Sequence, residues 1–108
     1  MPVEGAPRAC THRDQIRLPI PSERDKAGAV CPDCMAIGSW WVHLRICLTC
    51  GHVGCCDDSP NRHARAHWHA SGHPVVSSLE PREIWVWCFV DDVFLRGVER
   101  AQDGNDRI

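Results

Sequence analysis

The chain is poor in the residues from which a small domain ordinarily builds its interior. It has no tyrosine and two phenylalanines, and Leu, Ile, Val and Phe together fill only 23 of 108 positions. That fraction is close to the roughly 20 % below which chains tend to stay disordered. Folding must therefore draw on something besides apolar burial, and in small domains that means disulfides or metal. No run approaches the roughly 20 apolar residues of a membrane span. The first residues, Met1 to Arg8, lack the basic start and apolar stretch of a secretion signal. A cytoplasmic setting is expected, where thiols stay reduced and bind metal rather than pair. Lysine occurs once, and the 11 arginines are scattered from Arg8 to Arg107 in a chain of net charge -2. No basic stripe emerges, which disfavours nucleic acid as a partner. No phosphate loop, Ser-His-Asp set or carboxylate pair stands in a recognisable context.

Against these absences stand eight cysteines and seven histidines, with five tryptophans adding bulk. Eight candidate ligands fall within the 43 residues from Cys31 to His73: the knuckles Cys31-Pro-Asp-Cys34 and Cys47-Leu-Thr-Cys50, then Cys55, His63, His67 and His73. Each Cys-x-x-Cys offers two thiolates from a tight turn, and histidines four apart share one face of a helix. Two closed tetrahedral zinc sites can be made from this set. A closed site has no open position at which to activate water. The helix, reading His63-Ala-Arg-Ala-His67, also lacks the glutamate that serves a zinc protease as general base. Dithiol redox chemistry at Cys31 and Cys34 is the weaker reading, because a second knuckle and three histidines accompany it. Cys10 and His12, two apart, fall on one side of an extended segment.

The pattern predicts an α+β domain over 10–98: a short antiparallel sheet packed with one main helix and stabilised by metal. Residues 1–9 form a loose start and 99–108 a polar tail. Residues 18–29, with Pro19, Pro21 and Gly28, read as a linker. Strands are expected over 40–46, 75–79 and 84–90, with a turn or strand stub at 51–54 and a short strand or helical turn at 93–95. Ser59 as N-cap, Pro60 at the first position and Gly72 past the end predict a helix over 60–71. Within 84–90, Cys88 shares a face with Ile84, Val86 and Val90, while Trp85, Trp87 and Phe89 line the other. Trp85 is assigned to core filling. Asp57 and Asp58, just ahead of the helix, suit its dipole.

The stretch resembles the UBP-type zinc finger, the ubiquitin-tail-binding domain of ubiquitin-specific proteases and a cytoplasmic histone deacetylase. The resemblance is carried by Cys31/Cys34, Trp41, Cys47/Cys50, Cys55, His63-x-x-x-His67, Ser71-Gly72-His73-Pro74 and Trp87-Cys88-Phe89. It implies three interleaved Zn²⁺ sites, two of them central. Cys31, Cys34, Cys55 and His63 would form one, Cys47, Cys50, His67 and His73 a second, and Cys10, His12 and Cys88 three ligands of a third. Where the family has a final cysteine this chain has Asp91. Oxygen can replace sulfur on zinc, but an unbroken strand would turn Asp91 away from Cys88, so the chain must turn at Val90 and Asp91. Asp92 or water are the alternative fourth ligands.

The resemblance further implies a non-catalytic, monomeric module that receives a partner protein's peptide tail between aromatic walls, here Trp41, Trp87 and Phe89. Tail-binding members carry Cys-Gly-Arg-aromatic at the middle of the motif, and the arginine pairs with the tail carboxylate. This chain has Cys55-Cys56-Asp57-Asp58. An anionic tail would be repelled unless Arg45 or Arg62 reaches in, so ubiquitin itself is not carried over. The alternative function is a zinc- or redox-responsive thiol protein, with Cys56 as the spare thiol. His43, His52 and His69 are assigned to surface or supporting roles.

Overall fold

A computed structural model of the chain describes residues 9–102. Five strands, β1 (Leu44–Cys47), β2 (Val53–Cys55), β3 (Val75–Ser78), β4 (Val86–Cys88) and β5 (Val93–Leu95), make one antiparallel sheet in the order β2-β1-β3-β4-β5. Among the described residues three α-helices accompany it, α1 (Glu23–Lys26), α2 (Pro32–Ala36) and α3 (His63–Ser71), with a short 3-10 helix at Arg13–Gln15. The expected α+β sheet-and-helix arrangement is therefore present. No described helix is long and apolar enough to cross a membrane.

The interior divides into two small clusters. One gathers Ile20, Leu48, Val75, Val86, Cys88 and Leu95, and the other Cys31, Cys34, Leu44, Cys55 and Leu79. Four of these eleven residues are cysteines with no exposed surface, so thiols occupy positions that aliphatic side chains would fill elsewhere. The thin apolar composition and the ligand-rich centre are two aspects of one arrangement.

Helix α3 packs on β2 and β1. Its start differs from the predicted residue 60. Arg62 adopts a left-handed conformation, φ 49°, at the N-cap and makes no side-chain cap bond. Ser59 is engaged elsewhere: its Oγ accepts the Val42 N–H at 3.0 Å, fastening the approach to β1. At the other end Gly72, at φ 80°, closes the helix as expected, its N–H donating to Trp68 O at 2.8 Å. Helix and strand meet at Gly54, where an added Cβ would lie 2.5 Å from the Ala64 nitrogen. Only a residue without a side chain permits that approach.

The predicted linker over 18–29 contains a helix. Ser22 and Asp25 form a reciprocal capping box at the start of α1, satisfying two backbone donors. The single lysine, Lys26, is buried, with Nζ donating to Glu23 and to Glu83 O. Ile20 bonds to both sides of Arg100, donating to Glu99 O and accepting from the Ala101 N–H, each at 2.8 Å, so the segment beginning at 99 starts against the body of the domain. Residues 1–8 of the expected loose start and 103–108 of the expected tail lie outside the described residues. Strand β1 begins at Leu44 rather than 40, leaving Trp40 63 % exposed. Over 84–90 only Val86–Cys88 pair as strand, between a turn at Arg82 (φ 66°) and another ending at Asp92 (φ 59°). Residues 93–95 are a strand, β5.

Candidate metal centres and an aromatic cavity

The fold brings twelve ligand atoms into three groups: Cys31, Cys34, Cys55 and His63; Cys47, Cys50, His67 and His73; and Cys10, His12, Cys88 and Asp91. Within each group the atoms lie within 4.8 Å of one another. In the first, Cys31 caps α2, Cys34 lies within it, Cys55 ends β2 and His63 begins α3. Its Sγ to Nδ1 distances are 3.4, 3.4 and 3.5 Å, and Cys34 and Cys55 sulfurs stand 3.8 Å apart. Tetrahedral zinc, with Zn–S near 2.3 Å and Zn–N near 2.0–2.1 Å, places sulfur pairs about 3.8 Å and sulfur–nitrogen pairs about 3.6 Å apart. The residues present therefore fit the ion.

The second group spans the end of β1, the turn after it and the length of α3. Cys47 Sγ lies 3.7 Å from His73 Nδ1, and Cys50 Sγ 3.3 Å from His67 Nε2. His63 and His67 share a face of α3 but serve different groups. His52 stacks on His67 at 4.4 Å, and its Nε2 lies 2.9 Å from Asp33 Oδ2, so it supports a ligand without being one. In the third group the chain turns after β4, the condition set for Asp91, and Cys88 Sγ lies 3.6 Å from Asp91 Oδ2 and 3.5 Å from His12 Nδ1. Asp92 is not among the gathered ligands.

Electrostatics point the same way. Burial pushes the Cys34 thiol up to about 12 and that of Cys88 up to about 11, and it raises Cys47 as well. Thiolates at these positions need a cation to offset the lost hydration. Backbone N–H groups are already aimed at the sulfurs, from Cys34 to Cys31, His63 to Cys55, His12 to Cys10 and Asp91 to Cys88, at 3.2 to 3.5 Å. Burial, followed by the neighbouring His52 and His73, lowers the pKa of His67 and favours the neutral, ligating imidazole. All eight cysteines are free of disulfide. Cys56 belongs to none of the groups. It is buried, 3.5 Å from Ser59 Oγ.

Beside the first group lies a cavity of about 290 Å³. Trp85, Trp87, Phe89 and Phe94 line it, with Val76, Ala64, the Cys56 thiol and the charged Arg45, Asp57 and Asp58. Trp87 and Phe94 meet edge to face at 4.7 Å, and Phe89 stacks on Trp68 at 5.0 Å. Two of the three aromatic residues predicted for a pocket, Trp87 and Phe89, are therefore at one cavity. Trp41 is not, because it packs against the cluster of Cys31, Cys34, Leu44, Cys55 and Leu79. Trp85, assigned to the core, lines the cavity and carries Arg45 over its ring at 4.5 Å. Phe94 carries no motif, and Arg45 is one of the two cations, with Arg62, expected to reach in. Register places them, since Trp87 pairs with Phe94 and Arg45 stands across from Gly54 and Ser78.

A sheet and helix tied together by clustered thiols and imidazoles define a zinc finger in the structural sense, one whose ligands form the framework. The family described as Zn-finger in ubiquitin-hydrolases and other protein matches residues 31–99. The chain belongs to that family. It is also similar to protein RPA1320 of Rhodopseudomonas palustris, known from a solution NMR structure, at 46 % identity and a TM-score of 0.68 over 92 % of this chain and 94 % of that one. No curated protein matches it. Zinc binding accords with this family, the three groups fit the ion, and each would hold it with the four residues that the fold assembles there.

Proposed function

We propose that the domain binds rather than catalyses, and that its ligand is the C-terminal tail of a partner protein received in the aromatic cavity. The observation that carries this reading is the state of the charges. Asp57 accepts two hydrogen bonds from Arg65 Nε at 3.1 Å and one from Nη2 at 2.7 Å, which also holds its carboxyl below the ordinary value. Arg45 makes no ion pair among the described residues. One of the two acids that stood against an anionic tail is thus neutralised internally, leaving Asp58, and Arg45, stacked on Trp85 with Nη1 donating to Leu44 O at 3.0 Å, stands at the cavity as the cation for the carboxylate. Flat indole and phenyl walls suit a thin, glycine-like backbone.

The test is a tryptophan-fluorescence titration with a short peptide ending in Gly-Gly, as the free acid and as the C-terminal amide. A charged hydrogen bond contributes about 1.5–3 kcal/mol, so the acid should bind at least ten-fold more tightly than the amide, and Arg45→Ala should abolish the difference. Equal affinities, or no binding by any tail of varied sequence, would refute it. The redox alternative has less behind it, because Cys56 is only 4 % exposed and hydrogen-bonded to Ser59.

A further inference from the structure

Three of the cavity's aromatic residues ride on one hairpin: Trp87 on β4, Phe89 in the turn that follows, and Phe94 on β5. The same hairpin supplies half of the third ligand group, with Cys88 next to Trp87 in sequence and Asp91 in the turn. The other half, Cys10 and His12, comes from the N-terminal segment. Trp87 and Phe94 also line a second depression, together with Cys10 and Arg13. An ion held by these four residues would therefore fasten the wall of the cavity to the N-terminal segment. The other two groups tie α2, β1, β2 and α3 together and leave the hairpin alone.

The third group differs in chemistry as well as position. It has a carboxylate among its ligands, where the first has three thiolates with one imidazole and the second two of each. Its His12 Nδ1 and Asp91 Oδ2 stand 2.9 Å apart, a hydrogen-bond length. Two such ligands on one tetrahedral zinc would stand about 3.3–3.4 Å apart. The same Oδ2 accepts from the Thr11 N–H at 2.7 Å and from Thr11 Oγ1 at 3.0 Å. Asp91 thus has protein donors on the same segment that supplies Cys10 and His12, and these would compete with the ion for its Oδ2.

We propose that the third group is an exchangeable zinc site whose occupancy sets the shape of the aromatic cavity and, through it, the affinity for the partner's tail. The last clause rests on the tail-binding reading above, whereas control of the cavity by the ion does not. By linkage, a bound tail holds the third ion more tightly by the same factor.

Graded chelation of the wild-type protein, followed by native mass spectrometry, circular dichroism and the indole N–H resonances, tests this. A two-zinc species should appear with the folded far-ultraviolet spectrum retained. The Trp87 resonance should move between the three- and two-zinc forms while that of Trp41, packed at the first group, stays in place. The Gly-Gly peptide should bind the two-zinc form more weakly by about five-fold or more, the lower end of ordinary coupling. Asp91→Cys, which restores a third thiolate, should keep three zinc ions at the chelator concentration that takes the wild type to two, and should keep the tight affinity. Loss of all zinc in one step together with the fold, a protein that never holds more than two ions, or identical Trp87 resonances in the two forms would overturn the proposal. A Trp87 resonance that follows the third ion while no tail binds either form would leave control of the cavity standing and remove the tail-binding reading instead.

Discussion

Replacing Gly54 by alanine tests whether zinc and packing act as one unit. The new Cβ would lie 2.5 Å from Ala64 N, 2.7 Å from His63 C and 2.8 Å from Ala64 Cα. All three are backbone atoms, which cannot swing aside as the end of a side chain can. Carbon contacts relax only beyond about 3.5 Å, so the first turn of α3 must retreat from β2 by roughly an ångström. Overpacking of this kind costs about 1–3 kcal/mol, from a total usually near 5–15 kcal/mol. The displaced elements carry Cys55 and His63, whose ligand atoms are 3.5 Å apart, so the same movement stretches the first zinc site. At about 4–8 °C per kcal/mol in a domain of this size, the melting temperature should fall by at least 4 °C. Zinc transfer to a chromophoric chelator should accelerate in parallel. Gly38→Ala is the control: its φ is +66° with nothing within 4 Å of the new atom, so it should lose only the 1–2 kcal/mol or so of left-handed strain with zinc transfer unchanged. A Gly54→Ala protein with wild-type melting and wild-type zinc transfer would refute the coupling.

Other outcomes follow from the same geometry. Full removal of zinc by a strong chelator should unfold the domain, since each structural site supplies about 10–16 kcal/mol in finger peptides; an unchanged circular dichroism spectrum with all metal gone would contradict this. Asp57→Asn should cost about 0.5–1 kcal/mol, the upper range for a surface pair, read from the urea midpoint. Because Arg65 depresses the Asp57 carboxyl below its ordinary 3.8, the stabilisation is complete above that pH and lost only as pH falls through the lower, folded value. The difference from wild type should therefore be constant between pH 8 and pH 5, and a gap that narrows over that interval would count against the pair. Lys26→Ala should destabilise by about 0.5–1.5 kcal/mol, because it removes the hydrogen bonds to Glu23 and the Glu83 carbonyl; no measurable change in thermal denaturation would show that the lysine contributes nothing.

What could be read from the sequence was set by distance along the chain. Two knuckles and a histidine pair are local patterns, and the elements that carry them are close to those expected. The turn that brings Asp91 back to Cys88 could be stated as a requirement because an offset of three reverses the face of a strand. Helix α3 was placed three residues early because Ser59 is a good cap by type, and nothing local reveals that its hydroxyl is taken by Val42 across the fold. Residues 18–29 read as a linker because of Pro19, Pro21 and Gly28, whereas Ser22 and Asp25 cap a short helix there. The cavity was the least accessible feature. Trp41 was assigned to it by motif and Trp85 to the core by default, yet the two roles are exchanged, because cavity membership depends on the hairpin register and on where α3 lies. Arg45 and Arg62 were both open as the cation for a tail, and the choice of Arg45 depends on where β1 lies relative to the cavity.

Three of the four imidazoles meet their sulfurs through Nδ1, those of His12, His63 and His73, and one, His67, through Nε2. Nδ1 hangs from the ring carbon nearest the backbone, so its reach is not much longer than that of a cysteine. Nε2 lies on the far side of the ring. At His63 and His73 a shorter donor could take over within the same backbone frame, whereas at His67 the span from the helix to the second knuckle needs an arm as long as the imidazole. The domain's tolerance of ligand swaps is thus set position by position by lever length, and His67 is where a thiol would fall short.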